Sequence, residues 1–243
     1  MATVIFNDPS IFYSSLDVSA AHTAVAIGAG AEALDDTAFG DDTRSNKGGL
    51  KTVDISAEGY FNANTTLDQV YFGQVGGSQA AITIIPETIA VGNVSYFINT
   101  LGSSYNPMTG SVGEILKFNI QALAQKSNLI RGQVEFSGTA TSSSASTGAQ
   151  VGAITATQKM YCAVHVTSAG GGGATLDIDL QSDDNSGFTS AITRASTSQF
   201  TTARGSEIIS ASGAITDDWW RINYTIAGSS PTFTFTISLG IGE

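Results

Sequence analysis

The chain has 243 residues, enough for one large domain or two small ones with a sizeable core. At 42% hydrophobic residues it is not a disordered chain, and its net charge of −11 argues against a basic, phosphate-binding surface. Only 13% of residues are charged, a low share that suits extensive contact surface better than a free monomer. The single cysteine, Cys162, excludes an intrachain disulfide and argues against a cysteine-based zinc site; it reads as a small buried apolar side chain. The opening "MATVIFNDPS" has neither a basic n-region nor a long apolar run, and no segment approaches membrane-spanning length. Folding in a cytoplasm without membrane insertion is therefore expected.

In chain order, "SAAHTAVAIGAG" is an Ala/Gly-rich stretch containing His22. Residues 31–49 follow as a long charged loop without apolar periodicity, so this loop is expected to be ordered only by assembly. The segment "GLKTVDISAEG" then alternates cleanly, with Val53, Ile55 and Ala57 against Asp54, Ser56 and Glu58. One helix is predicted over "NTTLDQVYFGQVGG". Asn64 to Thr66 supply N-cap residues, Gln69 completes a capping-box spacing with Thr66, and Gly76-Gly77 ends it. Its face of Leu67, Val70, Tyr71 and Gln74 should cover a sheet edge or face. Two more alternating runs follow. Leu116, Phe118 and Ile120 oppose Lys117, Asn119 and Gln121, and Ile130, Val134 and Phe136 oppose Arg131, Gln133 and Glu135.

The small polar stretch from Ser137 to Gln150 reads as a linker, with a domain boundary between residues 139 and 140. Beyond it, Leu176, Ile178 and Leu180 form one apolar row. Trp220, Ile222, Tyr224 and Ile226 form a second, and Phe233, Phe235, Ile237 and Leu239 a third. Many short alternating strands with one helix define an all-β chain. The expected architecture is a β-sandwich or half-barrel over 1–139 followed by a β-sandwich domain over 140–243.

Enzyme signatures are absent: there is no nucleophile elbow, phosphate loop or metalloprotease motif. His22 and His165 lack partners at ligand spacing, and His165 reads as a hydrogen-bonded strand residue. Asp183 and Asp184 sit in "QSDDNSGF", which reads first as a tight turn and only second as an oxygen-ligand calcium site. Trp219 and Tyr161 are candidate aromatic contacts for a surface ligand such as a sugar, while Trp220 leads the apolar row and belongs to the core. No cofactor is expected.

The order "DDTAFGDDTRSNKGGLKTVDISAEGYFN", a short helix, "SVGEILKF" and "RGQVEFSG" resembles the major tail tube proteins of long-tailed bacteriophages. The likeness rests on Gly49-Leu50-Lys51 after the charged loop and Gly59-Tyr60-Phe61 at the strand end, and spans about Asp35 to Gly138. The remainder is similar in outline to β-sandwich modules of phage tails and baseplates, and to carbohydrate-binding modules. The resemblance implies a non-enzymatic virion protein whose hexameric rings stack into a tube lined by a continuous β-barrel. Its partners would be further copies of itself and the tape measure, terminator and distal tail proteins, with DNA only as passing cargo. The charged loop would reach the next ring through Asp41, Asp42, Arg44 and Lys47. Asp54, Glu58 and Lys117 would face the lumen, whose acidity lets DNA slide without binding. A decoration or carbohydrate-binding module is the alternative.

Overall fold

The computed structural model describes residues 8–61, 65–201 and 203–243. Among these residues it is all-β apart from one α-helix and a single 3-10 turn at Ser19–Ala21. The strands are β1 (Ser10–Tyr13), β2 (Leu16–Asp17), β3 (His22–Asp35), β4 (Asn46–Tyr60), β5 (Ala80–Ile85), β6 (Val94–Thr109) and β7 (Lys117–Ala124). They continue with β8 (Ile130–Ala140), β9 (Ser144–Ala145), β10 (Ala149–Gln150), β11 (Lys159–Asp183), β12 (Ile192–Ser196), β13 (Gly205–Ser212) and β14 (Trp219–Gly242). Helix α1 spans Thr65–Gln74, between β4 and β5.

The chain forms two compact units, and neither is continuous in sequence. One comprises residues 1–20, 80–99 and 130–243, the other residues 21–79 and 100–129. The expected boundary at 139/140 therefore does not separate them. Ala140 ends a strand that is paired with Phe233 of β14, and β9 and β10 pair with the other half of β14. The Ser137–Gln150 stretch is small and polar because it lies at strand ends and on sheet surface, where hydroxyls pair across strands. Ser137 Oγ meets Thr236 Oγ1 at 2.9 Å and Thr139 Oγ1 meets Thr234 Oγ1 at 2.8 Å. A fragment starting at Gly148 would lose β8, and with it the Phe136 ring stacked 4.5 Å from Phe235. We predict that such a fragment is insoluble or molten on purification, whereas an intact separable domain would be soluble and give a cooperative melt.

In the larger unit, β11 and β14 form a ladder running from Lys159↔Gly242 to Asp183↔Trp219, with register shifts clustered between Val166 and Thr175. The N-terminal half of β11 pairs on its other side with β13, and its C-terminal half with β12. Both halves feed one core. Met160, Cys162, Val164 and Val166 join Leu176, Ile178 and Leu180, together with Trp220, Ile222, Phe233, Phe235, Ile237 and Leu239. A strand that long cannot serve a single core without bending, and the glycine-rich Gly170–Gly173 segment with Gly228 opposite supplies the bend.

The smaller unit is a four-stranded antiparallel sheet in the order β3-β4-β7-β6, using Thr100–Thr109 of β6. Val53, Ile55, Ala57, Phe118, Ile120 and Ala122 are buried on one face, as their alternation requires. Helix α1 covers that face. Tyr71 is buried against Phe118, His22 and Tyr105, with ring centroids 5.6–6.0 Å apart, and Tyr105 donates to Asp68 at 2.7 Å. The helix ends as expected, with Gly76 at φ 66° and Gly77 N–H donating to the Gln74 carbonyl. The proposed cap at Asn64 lies outside the described residues.

Candidate assembly surfaces

The segment expected as a loop over 31–49 is a two-stranded arm with a ten-residue tip, 36–45. β3 continues to Asp35 and β4 begins at Asn46, and their pairing extends to Asp35↔Asn46. Only the tip lacks strand structure. Asp36 N–H donates to the Ser45 carbonyl, and a turn closed by Asp41 N–H to the Ala38 carbonyl puts Phe39 and Gly40 at its corners. The period-two signal was hidden because both faces of the arm are exposed, so nothing selects apolar residues on one side.

Asp41, Asp42 and Arg44 lie at this tip and Lys47 just behind it on β4, and all four are exposed. They are not all available to a partner. Lys47 Nζ stands 2.9 Å from Asp36 within the arm, and one Asp41 oxygen accepts the Ala38 N–H. The lysine and the Thr37 and Ser45 hydrogen bonds hold the Asp36 and Asp35 carboxyls below their ordinary range. The arm also carries apolar residues that charge counting overlooked: Phe39 at the tip and Leu34 and Leu50 on its strands are exposed.

The second surface is the open face of the smaller sheet. Asp54, Ser56 and Glu58 of β4 lie beside Lys117, Asn119, Gln121 and Leu123 of β7, with Asp54↔Leu123 and Glu58↔Asn119 in register. Asp54, Glu58 and Lys117 are exposed, as the alternation predicts. Asn106 donates to Asn119 at 2.7 Å, and Gly28 leaves room for the Asp54 carboxylate, which lies 2.5 Å from where a β-carbon would stand. A shallow depression of about 440 Å³ runs over Ala24, Ala26, Glu58, Asn106, Asn119 and Gln121. The face is polar and sparsely charged, with two carboxylates against one lysine, so it offers DNA no cluster of cations.

The third surface is an edge. Among the described residues β3 pairs only with β4. From Ala24 to Ala31 its register is unbroken and it carries no charge and no proline. Edge strands are usually blunted by lysine, proline or bulges, and here bulges occur only outside that run.

The larger unit holds the remaining candidates. Tyr161 is not an open aromatic contact: it packs against Phe97, Ile130 and Ala163. Trp219 is half-buried opposite Asp183, at the far end of β11 from Tyr161, so the two do not form one platform. Trp220 is fully buried and donates to the Gly152 carbonyl at 2.8 Å. Asp183 is buried and takes N–H donors from Asn185 and Ser190, while Asp184 accepts from the Asn185 amide. These oxygens close a turn. Two buried ionisable groups complete the set. His165 stacks on Phe12, lies 2.7 Å from Thr83 Oγ1 and donates from Nδ1 to the Ser14 carbonyl at 2.6 Å; burial lowers its pKa to about 4. Glu135, expected on the face turned to water or to an interface, is only 2% exposed. A register shift sets Phe136 opposite Ile237 and Val134 opposite Ser238, leaving Glu135 as the extra residue of a β-bulge that turns it inward. Its Oε1 accepts the Ser146 hydroxyl at 2.6 Å, its Oε2 has no partner, and burial raises its pKa to about 7.

No family model matches the chain, and no curated protein sequence matches it. Solved structures do. The chain is similar to a protein of the virion of a native gene transfer agent particle, at 19% identity and a TM-score of 0.39, covering 50% of this chain and 93% of that one. It is similar to the SPP1 tail tube protein at 11% identity and a TM-score of 0.43, covering 52% and 78%. It is also similar to the SPP1 Dit protein, described as a hub of the adsorption apparatus, at 13% identity and a TM-score of 0.39, covering 98% and 100%. Likenesses this remote assign no family.

Proposed function

We propose that the chain is a structural subunit of a bacteriophage-type virion tail, of the tail tube kind, assembled in the host cytoplasm. Six copies form a ring, rings stack into a tube, and DNA leaves through the lumen. The observation that carries this reading is the unprotected edge of β3. Eight uncharged residues present unpaired backbone groups beside a sheet covered on one face only. An edge of that kind pairs with another strand. Beyond Gly102, at the opposite side of the same sheet, β6 pairs only with β7 among the described residues, and this stretch is the complementary edge in a neighbouring copy. Joining two different edges gives a heterologous contact, which closes into a ring where the rotation between copies closes and otherwise runs on as an open filament. The sequence resemblance to tail tube proteins independently implies the same arrangement, with the tape measure, terminator and distal tail proteins as further partners.

Negative-stain electron microscopy and light scattering of the purified protein test this. Rings or tubes are expected from the natural chain, and monomers from Ala24→Lys/Ala26→Lys, which sets two charges on the edge strand. A natural chain that stays monomeric at every concentration would overturn the reading, as would unchanged assembly of the double variant.

In the ring, the open face bearing Asp54, Glu58 and Lys117 lines the lumen. A ring repeats every charge at each subunit, so one substitution changes the local field several-fold. Asp54→Lys/Glu58→Lys is expected to leave tubes intact but slow DNA ejection from assembled particles, more so at low salt, because a basic wall holds DNA by releasing counterions. Ejection at the natural rate would refute the lumen assignment.

A further inference from the structure

The smaller unit is built differently at its two ends. β4 carries both. Its first residues lie in the arm, beyond the end of β7, whose last pairing is Asp54↔Leu123. Its final residue, Tyr60, lies at the opposite end beside Lys117. At the arm end Phe39 is fully exposed at the corner of a turn, and Leu34 and Leu50 are exposed farther back along the arm, on β3 and β4. At the Tyr60 end there is a depression of about 500 Å³ lined by Tyr60, Thr109, Gly110, Glu114, Ile115 and Lys117. Tyr60, Ile115 and the nearby Met108 and Val112 are exposed there. One end thus presents an aromatic projection and the other a recess in which Tyr60 and Ile115 stand among Thr109, Glu114 and Lys117, and both lack cover among the described residues. Soluble chains rarely leave such residues clustered without a partner.

We propose that the arm tip of one copy seats in this depression of a second copy, with Phe39 against Tyr60 and Ile115. This inference rests on the ring-stacking reading and names the receiving surface within it. Three features select a second copy as the occupant. Projection and recess terminate the same strand in opposite directions, so the contact is head-to-tail and propagates along the strand axis instead of closing on a dimer. The rim offers Lys117 and Glu114, and the tip, once Lys47 has paired with Asp36, still has Asp42 and Arg44 to meet them. Lys117 joins neither ion pair found among the described residues. The apolar contact supplies the attraction and the two charge pairs set register, since exposed ion pairs alone contribute little.

Cross-linking tests the pairing. Phe39→Cys and Ile115→Cys are prepared separately, mixed and oxidised mildly; Cys162 is buried and stays silent. A disulfide-linked dimer is expected from the mixture and from neither variant alone, and a ladder of higher species from the variant carrying both substitutions. Phe39→Asp is expected to leave rings that do not stack. Tubes seen by electron microscopy without the mixed cross-link, or tubes of natural length from Phe39→Asp, would overturn the pairing and leave the ring reading standing. If the natural chain forms neither rings nor tubes, both fall.

Discussion

Gly228→Val should cost the larger unit about 3 kcal/mol or more, a sizeable fraction of a domain's stability. Gly228 has φ 118°, a region that a β-branched residue adopts only under strain of about 1–3 kcal/mol. An added β-carbon would also stand 2.7 Å from Ala174 Cα and 2.9 Å from the Ala174 nitrogen. Those are backbone atoms, so no rotamer change relieves the collision. Gly171, at φ 106°, is held in the same way: a β-carbon added there would stand 2.7 Å from the Ser230 carbonyl oxygen. The two glycines let the β11–β14 ladder turn tightly enough for Leu176 and Ile178 to share a core with Val164 and Ile237. Straightening the corner would separate these rows. Gly170→Ala is the control. No atom lies within 4 Å of its added carbon and its φ is unremarkable, so it should shift the urea midpoint little. If Gly228→Val shifts the midpoint no more than Gly170→Ala, the corner does not depend on glycine.

Much of the fold was legible where one face of a strand is buried. Val53 to Ala57, Phe118 and Ile120, and Leu176 to Leu180 alternate in the sequence and are buried as that alternation requires, whereas Leu116, read into the same row, precedes β7 and is only half-buried. The signal failed for three physical reasons. The arm has no buried face, so its strands looked like a loop. Glu135 was assigned to the outer face because alternation presumes an unbroken register, and the bulge that inverts it is a property of the pairing with β14. The division into units was missed because a boundary sought along the chain presumes continuous segments, whereas β1, β5, β8 and β14 belong to one unit and β3, β4 and β7 to the other. Of the candidate surfaces, the charged tip and the polar face of β4 and β7 were readable from residue type. The free edge of β3 was not, because edges are decided by what fails to pair. Phe39 and Ile115 were overlooked for a related reason: exposure of an apolar residue contradicts its type and only a structure reveals it.

Glu135 and His165 should make the stability of the larger unit nearly independent of their own titration between about pH 4.5 and 6.5, and removing one should expose the other. His165 is neutral in the fold, donating from Nδ1 to Ser14 and accepting at Nε2 from Thr83, and its pKa lies near 4 against 6.5 in the unfolded chain. As pH falls through that window the unfolded chain takes up a proton that the folded one refuses, so folding loses stability. Glu135 behaves oppositely. Its folded pKa of about 7 exceeds the ordinary 4.5, so over that window the folded chain holds a proton that the unfolded one has released. Folding therefore gains stability as pH falls through it. A protonated Glu135 leaves no buried charge beside its unpartnered oxygen, and its link to Ser146 is kept; Ser146 in turn bonds Ile222 through both its N–H and its hydroxyl. Neighbouring Cys162 adds no charge, because burial and the nearby Glu135 and Glu207 hold its thiol protonated. Glu135→Gln preserves shape and hydrogen bonding but removes the titration. Relative to the natural chain it should lose about 3 kcal/mol between pH 7 and 4.5, the linkage expected for a shift of this size. Urea unfolding of both proteins at half-unit pH intervals reads the difference directly, and the other carboxylates cancel in the comparison. A difference that stays flat across the range would mean that Glu135 is ionised in the fold, and a difference of opposite sign would mean that its carboxylate is stabilised there.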